Sequence, residues 1–137
     1  MQLVVFPELL WIIYMCGIVG LYLKNPEIRD RLGAYFSPML EQMSDRGPDS
    51  AGVAIYRDEI STSAKVTLYD NDPDFDWSAV ATEATGDLGV DILAERISNH
   101  AILSGEIASA KLRRWVEENK PAIRVMSSGN NLEIYKE

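Results

Sequence analysis

Within residues 1–23 the only charged side chain is Glu8, and residues 9–23 (LLWIIYMCGIVGLYL) carry none. A run of this kind has to be taken out of water, by a protein core or by lipid, and this limits the chain more than any other feature of its sequence. Its fifteen uncharged residues fall short of the roughly 20 that cross a bilayer as a helix. Lys24, Arg29 and Arg31 follow directly, which fits a short anchor over residues 3–23 with its basic flank inside. A secretory signal fits badly, because no Lys or Arg precedes Lys24 and Pro7 and Glu8 interrupt the start. The other reading is an apolar leader followed by a buried β-strand.

The remaining 114 positions are mixed in character, and 137 residues in all suffice for one hydrophobic core but not for two domains of ordinary size. Against 13 Lys and Arg stand 21 Asp and Glu, a formal net charge of −8. Binding to nucleic acid through counterion release needs the opposite sign, so no nucleic-acid partner is expected. A single cysteine, Cys16, and a single histidine, His100, provide neither a disulfide framework nor a zinc set, and no metal or cofactor is expected.

Along the chain, residues 17–23 read as a short apolar strand closed by Lys24-Asn25-Pro26, where Asn25 caps a helix and Pro26 occupies its first turn. Ile28, Leu32, Tyr35/Phe36, Met39/Leu40 and Met43 recur at helical spacing and form its core stripe, with Pro38 kinking or restarting it. A turn-rich loop over 46–52 leads to a strand at 53–56, paired as a hairpin through Asp58-Glu59 with a second strand at 64–69. Asp70, Asp72, Asp74 and Asp76 alternate as in a calcium loop. Phe75, however, stands where that loop needs glycine and Ala81 where it needs its last acid, so a solvated acidic turn is the preferred reading. A short helix is expected over 77–85, stopped by Gly86, then a strand over 97–103. Ser104 is the expected cap of a helix to about Asn119 with Ala108, Leu112, Trp115 and Val116 on one face. Strands at 123–126 and 132–135 flank a loop suited to a hairpin. The sum is an α+β layered fold.

The chemistry concentrates in Met15-Cys16-Gly17-Ile18-Val19-Gly20 and, 30 residues after the cysteine, Arg46-Gly47-Pro48-Asp49-Ser50-Ala51-Gly52. Over residues 15–57 this resembles the class II glutamine amidotransferases, where a Met-Cys-Gly-Ile start and an Arg-Gly-Pro-Asp-Ser loop frame the nucleophile. The residue before the arginine is often His in that family and is Asp45 here. Residues 124–129 with 132–136 look like the amidotransferase-like subunit of split glutamate synthases and N-methylglutamate synthases. The resemblance implies a partial αββα N-terminal nucleophile hydrolase fold, with residues 1–15 a leader, propeptide or mis-assigned start and 16–137 the N-terminal portion of the domain. It implies a catalytic Cys16, with Gly17, Arg46, Gly47, Asp49, Ser50 and Gly52 supporting the nucleophile loop. Glutamine is the implied substrate, and synthase subunits in the cytoplasm are the implied receivers of ammonia.

Elementary chemistry is consistent with that use of a cysteine. A thiol of pKa about 8.5 needs a base, and an α-amino group of pKa about 7.7–8.0 titrates nearer neutrality than any lysine. Were Cys16 the first residue, it would carry its own base; an acylated nitrogen has lost that lone pair, so residues 1–15 must be absent. Arg46 and Asp49 are expected to form a structural ion pair.

Three further parts of the family's site cannot be placed here: an Arg-x-Ala-Thr segment to grip the substrate carboxylate and an Asn-Gly pair for the oxyanion, neither of which occurs, and a later Asp for the substrate amine. The chain is therefore expected to be inactive alone, to resemble the first half of a glutaminase domain, and to be marginally stable with apolar faces uncovered. Two other readings stay open: a non-catalytic interaction or regulatory relative, and a small membrane-anchored protein. His100 is left unassigned, as satisfied structure.

Overall fold

The computed structural model describes residues 17–46, 50–56 and 63–136. It divides into two compact units, Met1–Ala51 and Gly52–Glu137.

In the first unit Asn25 caps as expected: its side-chain oxygen accepts the Glu27 N–H at 3.0 Å. The first turn, Pro26–Arg31, is wound as a 3-10 helix, and an α-helix, α1 (Leu32–Glu41), follows with Pro38 inside it. Pro38 lacks the N–H that would bond back one turn, so the helix continues only to Glu41 before the chain tightens into a 3-10 turn at Ser44–Arg46. The expected stripe is only half-buried, with no residue of α1 fully covered. The strand expected over 17–23 is not formed. These residues carry no regular structure, and Ile18 is 94% and Tyr22 81% exposed. A strand is held by its ladder, and none of the described strands pairs with this segment.

The second unit is built on β2 (Ala64–Tyr69), an inner strand of a four-stranded antiparallel sheet in which β3 (Leu93–Ile97), β4 (His100–Gly105), β2 and β5 (Arg124–Gly129) lie in that order. Successive side chains of a strand point to opposite faces. Ala64, Val66 and Leu68 therefore share one face with Ala101 and Leu103 of β4 and are buried against the helices α2 (Trp77–Leu88) and α3 (Ser109–Asn119). Trp77, Val80, Ala81 and Ala84 come from α2 and Leu112, Trp115 and Val116 from α3, completing one core. The face expected for α3 is found, although Ala108 is its exposed N-cap and Ser104 lies in β4 instead of capping. A bond from Trp115 Nε1 to Asp87 Oδ2 (2.9 Å) ties the two helices together.

The alternating aspartates punctuate the entry to α2. Asp70 and Asp72 each accept the backbone N–H two residues on, at 2.8 and 2.9 Å, and Asp76 caps the helix through the Ala79 N–H at 3.0 Å. The helix runs through Gly86 and ends at Gly89, whose left-handed φ of 69° closes it. Where one strand was expected over 97–103 there are two, β3 and β4. They form a hairpin turning on Ser98-Asn99, with Ser98 at φ 54° in a position that usually takes glycine.

Two expected hairpins are corrected. β1 (Gly52–Tyr56) does not pair with β2, because both edges of β2 are taken by β4 and β5; it pairs instead with β6 (Leu132–Lys136), Gly52 opposite Lys136 and Tyr56 opposite Leu132. Nor are β5 and β6 a hairpin, because β5 pairs with β2 and β6 with β1: Asn130-Asn131 carries the chain from the four-stranded sheet to the two-stranded one. The fold is α+β, with two antiparallel sheets. No helix among the described residues is long and apolar enough to cross a membrane, and most of the anchor reading, over 3–16, lies outside them.

Two glycines are expected to respond oppositely to a methyl group. At Gly105 it would meet the Asp91 carbonyl oxygen at 2.7 Å and Ile92 Cδ1 at 2.5 Å, so Gly105→Ala is expected to lower unfolding free energy by about 1–3 kcal/mol. Gly86 faces open space inside a helix, so Gly86→Ala is expected to raise it by about 0.5–1 kcal/mol. Urea unfolding monitored by circular dichroism reads both.

Candidate functional site

Of the residues expected at the site, Gly17, Arg46, Ser50 and Gly52 are described; Cys16, Gly47 and Asp49 lie outside the described residues, as does the expected Arg46–Asp49 ion pair. In the first unit, α1 and the turn that follows it bring Met43 and Arg46 back beside Gly17. A methyl group on Gly17 would collide with Met43 Cε and lie 3.4 Å from Arg46 Cβ. The residue after the cysteine and the first residue of the second motif, 29 positions apart, are thus neighbours. The Ser44 hydroxyl donates to the Glu41 carbonyl at 2.7 Å and helps make this return. Ser50 is exposed, and Gly52 opens β1.

In the second unit the polar face of β2 carries a cluster that the sequence did not announce. Lys65, Thr67 and Tyr69 look away from the helices, and β6 lies over them. Lys65 Nζ donates to Glu133 Oε1 at 2.8 Å, with the Glu133 side chain only 1% exposed. The Tyr135 hydroxyl donates to the other carboxylate oxygen at 3.0 Å. Beside them the Ser127 hydroxyl lies 3.0 Å from Thr67 Oγ1 and 3.2 Å from the Leu132 carbonyl. At the far end of the same face His100 stands between the rings of Tyr69 and Tyr135. The one signal for Glu133 was its parity with Tyr135 in a five-residue strand, which does not say which face is covered.

Among the described residues no group of three or more His, Cys, Asp and Glu side chains is placed to hold a metal ion. A groove of about 300 Å³ between α2 and β3 is lined by Ser78, Thr82, Thr85, Ile92 and Leu93. The Thr82 hydroxyl is spent on the Ser78 carbonyl and the Thr85 oxygen on the Ile92 N–H, at 2.9 Å each.

With this geometry and these motifs, the chain is similar over most of its length to glutamine amidotransferase-like proteins. The glutamine amidotransferase-like protein GlxB of Rhizobium meliloti (strain 1021) is 40% identical over 126 residues, which cover 90% of this chain and 41% of that protein. A protein of Methanothermobacter thermautotrophicus named "Putative glutamine amidotransferase" is 32% identical over 92 residues, covering 64% of this chain and 30% of its own length. The chain thus spans about two fifths of the first relative's length and under a third of the second's. No family model matches the chain, and no solved structure does.

The buried ion pair gives a direct test. Glu133→Ala strands the Lys65 ammonium in a site only 13% exposed, and is expected to cost about 3–5 kcal/mol. The double change Lys65→Met with Glu133→Leu is expected to recover most of that loss, because no charge is left without a partner. Chemical denaturation of the two variants reads the difference.

Proposed function

We propose that this chain is the nucleophile-bearing N-terminal portion of a class II glutamine amidotransferase domain of the N-terminal nucleophile hydrolase type, acting in the cytoplasm. Cys16 is the nucleophile, residues 1–15 are removed or never made, and residues 16–137 belong to the domain. The observation that supports this reading is the neighbourhood of Gly17, the residue after the cysteine, and Arg46, the first residue of the second motif. The relatives support a glutamine amidotransferase-related role.

In the proposed reaction the free α-amine of Cys16 takes the thiol proton, and the thiolate attacks the side-chain amide carbon of glutamine. The tetrahedral adduct collapses, the nitrogen leaves as ammonia with the proton returned by the amine, and a thioester remains. Water then attacks the thioester and releases glutamate, restoring the thiol. Gly17 and Gly20 let the backbone approach the substrate closely, and the 46–52 loop shapes the pocket wall. Ammonia passes to the synthase subunits that consume it. The Asn-Gly pair and the Arg-x-Ala-Thr segment that serve the family as oxyanion donor and carboxylate clamp do not occur in these 137 residues. The loss of one oxyanion donor alone raises the barrier by about 3 kcal/mol, so these residues by themselves are expected to hydrolyse glutamine scarcely at all.

The test begins with the intact mass and N-terminal residue of the protein from its native source, followed by a glutaminase assay on that material. The expected protein begins at Cys16, and Cys16→Ala lowers its glutamine hydrolysis by about 10³-fold or more. A protein that begins at Met1 and functions unchanged after Cys16→Ala would instead be a non-catalytic interaction partner.

A further inference from the structure

His100 opens β4, is 4% exposed, and faces away from the apolar core that Ala101 and Leu103 join. Its ring centroid lies 5.0 Å from that of Tyr69 and 5.4 Å from that of Tyr135. Its Nε2 accepts the backbone N–H of Lys136 at 3.2 Å. Lys136 is the last residue of β6 and the register partner of Gly52. One imidazole therefore connects the four-stranded sheet, through the end of β6, to the residue at which the 46–52 motif enters the sheet.

We infer that His100 is a positioning residue that anchors the Gly52 end of this motif, and that it does so only as a neutral ring. An imidazole that accepts at Nε2 must keep its proton on Nδ1. A second proton turns Nε2 into a donor facing the Lys136 donor, and the bond is lost. Tyr69 from β2 and Tyr135 from β6 meet it with their rings, and Ile97 is its partner on β3. Among the described residues, the charged groups on β2, β5 and β6 are the Lys65–Glu133 pair, joined to Tyr135 through its hydroxyl, Arg124 opposite Tyr69 on β5, and Lys136 at the end of β6. The consequence for catalysis rests on the functional reading above; the anchoring of β6 does not.

The two are separated by one pH titration of the full chain. The His100 ring carbon shift and the Lys136 amide protection factor are followed by NMR, and glutamine hydrolysis is followed in parallel on the protein from its native source. In the wild type the Lys136 protection factor is expected to fall about tenfold over the interval in which His100 titrates, the loss of one hydrogen bond, with the acid limb of hydrolysis in the same interval. His100→Gln places an acceptor near the Nε2 position and does not titrate, so Lys136 stays protected and that limb disappears. His100→Phe retains an aromatic ring without an acceptor, so Lys136 exchanges fast at every pH. Should the phenylalanine variant fail to fold, the wild type and His100→Gln decide alone. Protection that stays flat through the His100 titration, a ring that does not titrate before unfolding, or an acid loss that survives in His100→Gln would overturn the inference. Lys136 following His100 in a protein that hydrolyses no glutamine leaves the anchor standing and removes the functional reading instead.

Discussion

Strand β2 must satisfy two unlike neighbours at once, and the second unit is arranged around that demand. Its even-numbered residues, Ala64, Val66 and Leu68, are closed off by tryptophans and aliphatic side chains of two helices. Its odd-numbered residues, Lys65, Thr67 and Tyr69, face the other way and meet Glu133 of β6, Ser127 of β5 and His100 of β4 in turn. A shift of one residue along β2 would bring lysine and threonine against Trp77 and Trp115, so the pairing register with β4 and β5 is tightly specified. The two faces of the larger sheet differ in chemistry as a result: one is an ordinary apolar core, the other a hydrogen-bonded layer.

A charged pair in such a layer is not a stabilising luxury. Taking a carboxylate and an ammonium out of water costs several kcal/mol each, and their attraction offsets this only with good geometry and with the remaining lone pairs satisfied. Here both conditions hold, since Glu133 binds Lys65 through one oxygen and the Tyr135 hydroxyl through the other. What the pair contributes is alignment. Apolar residues of similar size would hold β6 over β2 at several positions, whereas one ammonium and one carboxylate meet well in a single place. The alignment extends along β6 to Lys136 and across the ladder to Gly52.

The sequence was legible where a residue's local chemistry decided its role. Asn25 before Pro26 could only begin a helical segment, and the spacing of Leu112, Trp115 and Val116 gave the inner face of α3. It was illegible where partners lay far off or where a backbone angle made the choice. Gly86 and Gly89 are three positions apart, and only the second takes the left-handed conformation that ends α2. The run across 97–103 hid a two-residue turn because serine stands where glycine would have marked it. β1 and β2 looked like a hairpin because they are close in sequence, yet the partner of β1 is at the other end of the unit. At the candidate site the paired motifs were readable by resemblance, whereas Glu133 and Lys65, 68 residues apart, gave no sign that they would meet. His100, read as satisfied structure, accepts a hydrogen bond and meets two tyrosine rings at steep angles.

The ladder between β1 and β6 also carries a timetable. Gly52 leaves the ribosome 84 residues ahead of its partner Lys136, a wait of roughly 4–17 s at synthesis rates of about 5–20 residues per second. Throughout that interval β1 has no strand to pair with, while β2 can already begin to gather β3, β4 and the helices. The segment that ends the Arg-Gly-Pro-Asp-Ser motif is therefore among the last parts of this unit to be given a fixed shape.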